Sequence, residues 1–386
     1  MKSLQELRKF VAPEFVYGPG ALRLAGRCAK SLAATKVMIV TDPGVRVAGW
    51  TKQVEASVSA AGLPYVVFDA VTPNPKDHEV MAGAEVYKAE HCDLILSVGG
   101  GSPTDCAKGI GISAANAQHV LEFEGIDAVR RPGPPLLCIP TTAGTAADLS
   151  QFAIITDTTC RRKIAIISKM VVPDASLVDP LSTTTMTPEL TAATGLDVLC
   201  HAFEAYSSNL SSPVTDINAL EAARLVGENL AGAYAEPANL GYRDAMMTAS
   251  LMAGLAFSNA SLGLVHAMAH SLGGFCDLPH GDCNAILLEH VVRFNFEAVP
   301  ERYSRLARAL GVGTPGESGG QILSALVGWL AALRKSLGIA PGLGAMGVAR
   351  RDLSELAARA SSDPCLATNP RPASVEDIER LYEAAF

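Results

Sequence analysis

Histidine and carboxylate side chains gather in the second half of the chain at spacings that suit one metal ion. In "GLDVLCHAFEAY", Gly195–Tyr206, Asp197 and His201 stand at i and i+4, so on a helix both project from one face. His266 and His270 repeat that spacing within "GLVHAMAHSLGGFCDLPHG", Gly263–Gly281, and His280 follows where Pro279 and Gly281 suggest a rigid turn. A lone histidine in such apolar surroundings reads more readily as a hydrogen-bonded core or helix-face residue than as a ligand. Two chelating pairs and a turn histidine, however, offer up to five ligands together. Imidazole and carboxylate with no thiolate in register suit Fe2+, Zn2+, Ni2+ or Mn2+ rather than a structural cysteine–zinc site. Cys200, Cys276 and Cys283 are near in sequence and read as small apolar fillers.

A second chemistry is written earlier. "SVGGGSPTDCAKGIG" places Gly99, Gly100, Gly101 and Ser102 after a strand-like run and before a helix opening near Pro103. Backbone N–H groups on glycines approach an anion closely, and a helix N-terminus favours phosphate by its dipole and unpaired amides. A plain strand-to-helix turn explains the same glycines, and the run is neither GxGxxG nor a Walker A loop. "PTTAGTAAD", Pro140–Asp148, also follows a buried strand and adds the hydroxyls of Thr141, Thr142 and Thr145. Two such loops at the carboxyl ends of parallel strands describe a dinucleotide crevice. Asp42, in "TDPG", can accept hydrogen bonds from ribose hydroxyls and would repel a 2′-phosphate, favouring NAD over NADP; it also fits an Asp-Pro-Gly turn.

The elements that must carry these residues alternate in the first half. "KVMIVTD", "PYVVFD", "DLILSVGG" and "PLLCIPTT" are strand-like, and the first three are each followed by a plausible helix, which argues a parallel sheet covered on both faces. "FAIITDTTCRRKIAII" predicts a β-hairpin turning near Asp157–Cys160, and "SLVDP" a last buried strand. From Pro188 onward the chain is Ala/Leu-rich at helical spacing, with helices expected over 189–206, 213–235, 242–258, 261–274, 283–295, 299–310, 316–337 and 352–361. The boundary falls near 182–187, giving an α/β dinucleotide-binding domain at 1–184 and an all-helical metal-binding domain at 185–386.

Composition excludes other classes. With 386 residues, 49% of them hydrophobic, and a net charge of −8 with no basic run, the chain has core enough for two domains and no field to gather nucleic acid or anionic lipid. "MKSLQELRKFVAPEF" lacks the apolar centre of a signal peptide, and no apolar span reaches membrane length, so no membrane partner and a cytoplasmic location are expected. Nine cysteines without a CxxC pair fit a reducing compartment.

These motifs resemble the iron-dependent (group III) alcohol dehydrogenase family along nearly the whole chain: "GGGSPTDCAK", "IPTTAGTAAD", "TAATGLDVLCHAFEAY", "GLVHAMAHSLGGFCDLPHG" and "NPRPASVEDIERLY", in family order. "TTAGTAAD" and "RRKIAII" resemble its lactaldehyde reductase and propanediol dehydrogenase branch. The resemblance implies a Rossmann-like N-terminal domain, a helical C-terminal domain, an active site in the cleft between them, and a homodimer or larger homo-oligomer. It assigns Asp197, His201, His266 and His280 to the metal and leaves His270 to line the pocket as a proton-relay or orienting residue. Around NAD it places Asp42, Asn74, Gly99, Gly100, Gly101, Ser102, Asp105, Thr141, Thr142, Thr145 and Lys163, with Phe152 as a substrate-pocket wall. Asp148, Ser182 and Glu289 depart from the residues usual there. The implied reaction is hydride transfer between NAD(H) and a small alcohol or diol, with Fe2+ as the metal. Polyol dehydrogenases and a dehydroquinate-synthase-like lyase share the ligand plan. The lyase needs several cationic groups, and 195–206 and 263–281 contain no Lys or Arg. A non-catalytic nucleotide- or metal-binding protein is the rival from another class.

Overall fold

A computed structural model describes residues 7–314 and 316–386; Met1–Glu6 of the N-terminal stretch read above for a signal lie outside them. Strands β1 (Glu14–Tyr17), β2 (Val37–Val40), β3 (Tyr65–Phe68), β4 (Leu94–Gly99), β5 (Gly125–Ile126), β6 (Leu136–Pro140), β7 (Phe152–Asp157), β8 (Arg162–Ile167) and β9 (Ala175–Val178) all precede residue 179. Helices α1 (Ala25–Ser31), α2 (Pro43–Val47), α3 (Trp50–Ala60), α4 (Asp77–Ala89) and α5 (Gly101–Asn116) are interleaved with them. A parallel six-stranded sheet has the order β1-β9-β6-β4-β2-β3, and β5, β8 and β7 form a small second sheet.

The near-continuous apolar runs of the central strands follow from burial on both faces. Val37, Ile39, Leu94 and Leu96 enter one core, while Met38, Val40 and Ile95 enter the other. β4 sits between β2 and β6, with Val40 opposite Ser97 and Gly99 opposite Pro140. The ends of β2, β4 and β6 are therefore neighbours, and Asp42, the Gly99–Ser102 loop and the Thr141–Thr145 loop leave the sheet side by side.

From Pro188 the described chain is helical: α6 (Pro188–Ser207), α7 (Pro213–Ala235), α8 (Leu240–Ala260), α9 (Leu264–Cys276), α10 (His280–Asn295), α11 (Pro300–Ala309), α12 (Gly319–Ser336), α13 (Leu353–Ala360) and α14 (Val375–Ala384). α6 begins with Pro188 at its first position, and the Thr187 side chain accepts a hydrogen bond from Leu190 N, a stop-and-cap arrangement that fixes where the helix starts. Its buried face, including Leu196, Phe203 and Tyr206, packs in one core with Met247, Phe257, Leu264 and Leu288.

The hairpin turns where expected, between Asp157 and Arg162. Besides α1 and the two-residue β5, which the sequence reading did not contain, three elements differ from it. β1 was not expected, because four residues of an exposed edge strand carry no alternation. α14 was not expected as a helix, although "VEDIERLY" belongs to a quoted motif. His280 is the first residue of α10, not part of a turn: Pro279, at φ −60°, caps the helix, and Pro and Gly at a helix start imitate a turn signal. Gly281 is required there because a Cβ would meet Ala193 O at 2.4 Å, so glycine lets α10 close onto α6.

Candidate active site

α6, α9 and α10 bring the predicted ligands to one point. Asp197, His201 and His266 are buried and offer atoms that all lie within 4.8 Å of one another. The Nε2 atoms of His201 and His266 each stand 3.6 Å from Asp197 Oδ1, and His280 Nε2 stands 3.8 Å from it. These separations are too long for hydrogen bonds. They are close to the edge, roughly 3.4 Å, of a tetrahedron of ligands at about 2.1 Å from a central ion. The donor set of one carboxylate and three imidazoles thus fits a divalent cation.

Electrostatics favour the same use. Burial alone would raise the Asp197 carboxyl, but the surrounding imidazoles hold it well below the usual carboxylate range. Burial lowers His201 to about 4 and takes His280 well below its ordinary value, so both rings are neutral near pH 7 and can ligate. His266 is different: burial works against its charged form, yet the Glu204 and Asp197 carboxylates raise it to about 9. Glu204 is buried, accepts from Val265 N at 2.6 Å through Oε1, and lies 2.5 Å from His266 Nδ1 through Oε2. A carboxylate can only accept, so Nδ1 carries a proton, and a metal ion would have to displace the second proton from Nε2 to be ligated there.

His270 separates from the other four. Its Nδ1 is 2.9 Å from Asp363 Oδ2, and its ring stacks on His280 with centroids 5.4 Å apart. Burial opposes ionisation of Asp363, but His270 outweighs it and lowers the carboxyl; an ionised Asp363 accepts the Nδ1 proton and leaves Nε2 as an acceptor.

One cavity joins this cluster to the phosphate loops. Asn74, Gly101, Ser102, Asp105, Thr145, Phe152 and Lys163 line it together with Asp197, His201, His266, His270 and His280. Phe257 closes a side, stacked on His201 with centroids 4.3 Å apart. The two loops pack directly against each other: a Cβ on Gly100 would meet the Thr142 hydroxyl at 3.0 Å, and one on Gly101 the Thr145 hydroxyl at 3.0 Å. Such bare backbone at a helix N-terminus fits a pyrophosphate. Lys163 reaches the cavity from β8, and burial lowers its pKa. Burial raises Asp105 to about 6 against the opposing charges of Lys108 and Lys163.

Asp42, Gly99, Gly100, Thr141 and Thr142 do not line the cavity. Asp42 caps α2 by accepting from Val45 N at 2.9 Å, so the turn-forming role is real, and its position at the end of β2 still puts it beside the glycine loop. Asn74 has φ +55° and donates to Asp277 Oδ1 at 2.8 Å, tying the loop before α4 to the end of α9. Of the three departures, Asp148 accepts from Ser176 Oγ at 2.6 Å, Ser182 Oγ donates to Pro140 O at 2.7 Å, and Glu289 pairs with Arg334 at 3.3 Å; none belongs to the ligand cluster.

Sequence reading missed Glu204, Asn284 and Asp363. Glu204 stood in a quoted motif, three residues after His201. Asn284 is i+4 from His280, a relation hidden while His280 was read as a turn. Asp363 carried no local signal.

A sequence profile of the iron-containing alcohol dehydrogenases matches residues 12–180, and one for the C-terminal part of the Fe-containing alcohol dehydrogenase family matches 191–386. The 1,3-propanediol dehydrogenase of Citrobacter freundii is 42% identical over 372 residues, 96% of each chain, and so lies in the branch that "TTAGTAAD" resembles. The NAD-dependent methanol dehydrogenase of Bacillus methanolicus is 38% identical over 377 residues, 98% of this chain and 99% of that one. A crystal structure of a 1,3-propanediol oxidoreductase superposes with a TM-score of 0.95 at 39% identity, covering 99% of this chain and 100% of the other. A parallel sheet with a glycine loop at a helix start, a helical half with a carboxylate–imidazole cluster, and likeness along nearly the whole chain in both sequence and structure have one explanation: the chain belongs to the iron-containing alcohol dehydrogenase family.

Proposed function

We propose that this enzyme interconverts a small primary alcohol or diol and its aldehyde, with NAD(H) as hydride partner and Fe2+ as the metal; Zn2+, Ni2+ and Mn2+ suit the same donors. The observation that carries the reading is the single cavity lined at once by Gly101, Ser102, Lys163 and the Asp197, His201, His266 and His280 cluster. When bound, the divalent ion supplies Lewis-acid polarisation of an alcohol or carbonyl oxygen, and the nicotinamide takes or delivers hydride.

The chain's own residues do the rest. Asp197, His201, His266 and His280 would hold the ion, and Gly99–Ser102 with Thr141, Thr142 and Thr145 would seat the pyrophosphate. Phe152, Phe257 and Leu262 keep water from the reacting end. His270, its Nδ1 committed to Asp363, presents Nε2 to the cavity and carries the alcohol proton away. Asp42 favours NAD over NADP by its charge beside the glycine loop.

Among the described residues lining the cavity, Lys163 is the one lysine or arginine, which supports a neutral substrate over the anionic one of a lyase. Consumption of NADH with a panel of C2 to C8 aldehydes, on protein loaded with iron anaerobically, tests the assignment. Turnover with none of them, despite bound metal and NAD, establishes a non-catalytic binding protein instead. We infer a homodimer as well, supported by the edge of β1 that pairs with no strand among the described residues, with Phe15 exposed on it and Phe10 exposed just before it, which sedimentation at micromolar concentration tests. A reducing, cytoplasmic setting accords with nine unpaired cysteines.

A further inference from the structure

Asn284 is fully buried on α10, one turn after His280. Its Nδ2 lies 2.7 Å from Asp197 Oδ1, 3.1 Å from His280 Nε2 and 3.2 Å from His266 Nε2. Three of the four ligand atoms thus share one amide nitrogen. On the other edge of the same amide, Oδ1 is buried and has no hydrogen-bond partner.

An uncharged amide has one edge of each sign. The N–H edge suits the Asp197 carboxylate and the His280 lone pair when no cation lies between them, and it keeps those acceptors assembled. A divalent ion among the same atoms inverts the local sign: the N–H edge then opposes a cation, while the unpaired oxygen is a hard donor suited to it. Rotation about the Cβ–Cγ bond exchanges the edges with no movement of α10, since the two ends of a side-chain amide have nearly the same shape.

We propose that Asn284 belongs to the metal-binding shell and turns its amide as the ion enters, holding the ligands through Nδ2 in the metal-free protein and offering Oδ1 to the ion. This rests on reading Asp197, His201, His266 and His280 as the ligand set. The residue gathers the Asp197, His266 and His280 ligand atoms around one amide nitrogen, and it adds an oxygen to a nitrogen-rich donor set.

The test is metal affinity, with no turnover involved. Full-length protein is stripped with a chelator and titrated with Co2+ against a competing chelator, following both affinity and the visible cobalt spectrum. Asn284→Leu keeps the volume and removes both edges; it should weaken Co2+ binding about 10- to 100-fold and alter the spectrum. Asn284→Asp places oxygen on both edges and should bind Co2+ at least as tightly as the parent protein. Wild-type affinity and spectrum in Asn284→Leu overturn the proposal. So does a folded Asn284→Asp protein with more than tenfold weaker binding, which also covers the case in which the leucine variant does not fold. His266→Ala with undiminished affinity would instead remove the ligand set on which the proposal rests.

Discussion

Replacing Glu204 by Gln leaves size and shape nearly unchanged and alters one thing, the sign of one edge. Glu204 accepts twice, from Val265 N at 2.6 Å and from His266 Nδ1 at 2.5 Å. In Glu204→Gln the amide oxygen can serve only one of these donors. If it stays on Val265 N, the new N–H edge faces His266, and the ring must move its proton from Nδ1 to Nε2 to accept from it. The proton then sits where the ion needs a lone pair. If the amide turns the other way, Val265 N is buried against a donor at the start of α9. Either outcome forfeits a charge-assisted hydrogen bond, on the order of 1.5–3 kcal/mol, which is about 10- to 150-fold in metal affinity. The helix and its apolar packing are untouched, so the melting temperature of the metal-free variant should stay within a few degrees of the parent. Competition titration of stripped protein with Zn2+ or Co2+ reads the affinity directly. Binding within about twofold of the parent would refute the argument that Glu204 sets the His266 tautomer.

His270→Ala should keep its full metal content and lose about 10²- to 10⁴-fold in kcat, whereas His266→Ala or His280→Ala should lose the ion; metal analysis beside steady-state rates separates the two, and metal-free His270→Ala protein would place that ring in the ligand set. Asp42→Gly should relax the preference for NAD at a cost of about 0.3 kcal/mol for the exchanged helix cap; an unchanged ratio of kcat/KM for NAD and NADP defeats the ribose argument. Asp105 carries a pH signature: burial raises its carboxyl to about 6, so the folded state binds the proton more tightly than the unfolded chain and stability falls as pH rises from about 4 to about 6. At pH 7 the full penalty is on the order of 3 kcal/mol. Asp105→Asn should therefore gain in melting temperature relative to the parent between pH 5 and pH 7, measured with chelator throughout, and a pH-independent difference would contradict it.

The legible part of the site was local in sequence. Asp197 and His201 share a helical face at i and i+4, as do His266 and His270, because 3.6 residues make a turn whatever the tertiary context. The glycine loop was legible for a similar reason: a buried apolar run ending in three glycines before Pro103 describes a strand handing over to a helix. Both signals lie within a dozen residues and rest on backbone geometry alone. His280 shows where that reasoning fails, since Pro and Gly serve helix starts and turns alike, and taking the wrong one concealed Asn284.

What the sequence by itself determined is therefore the class of chemistry: an anion cradle on a parallel sheet, and a carboxylate–imidazole set on helices that follow it. The tertiary structure alone decided how those parts act. Asn284 meets Asp197 across 87 residues and Asp363 meets His270 across 93, contacts that no periodicity can encode because they depend on how α6, α9, α10 and the segment after α13 cross. Those contacts choose which ring nitrogen holds a proton, which histidine pairs outside the Asp197 cluster, and which amide edge faces that cluster. In a buried site the sign and direction of each dipole outweigh residue type, and direction exists only once the helices are packed.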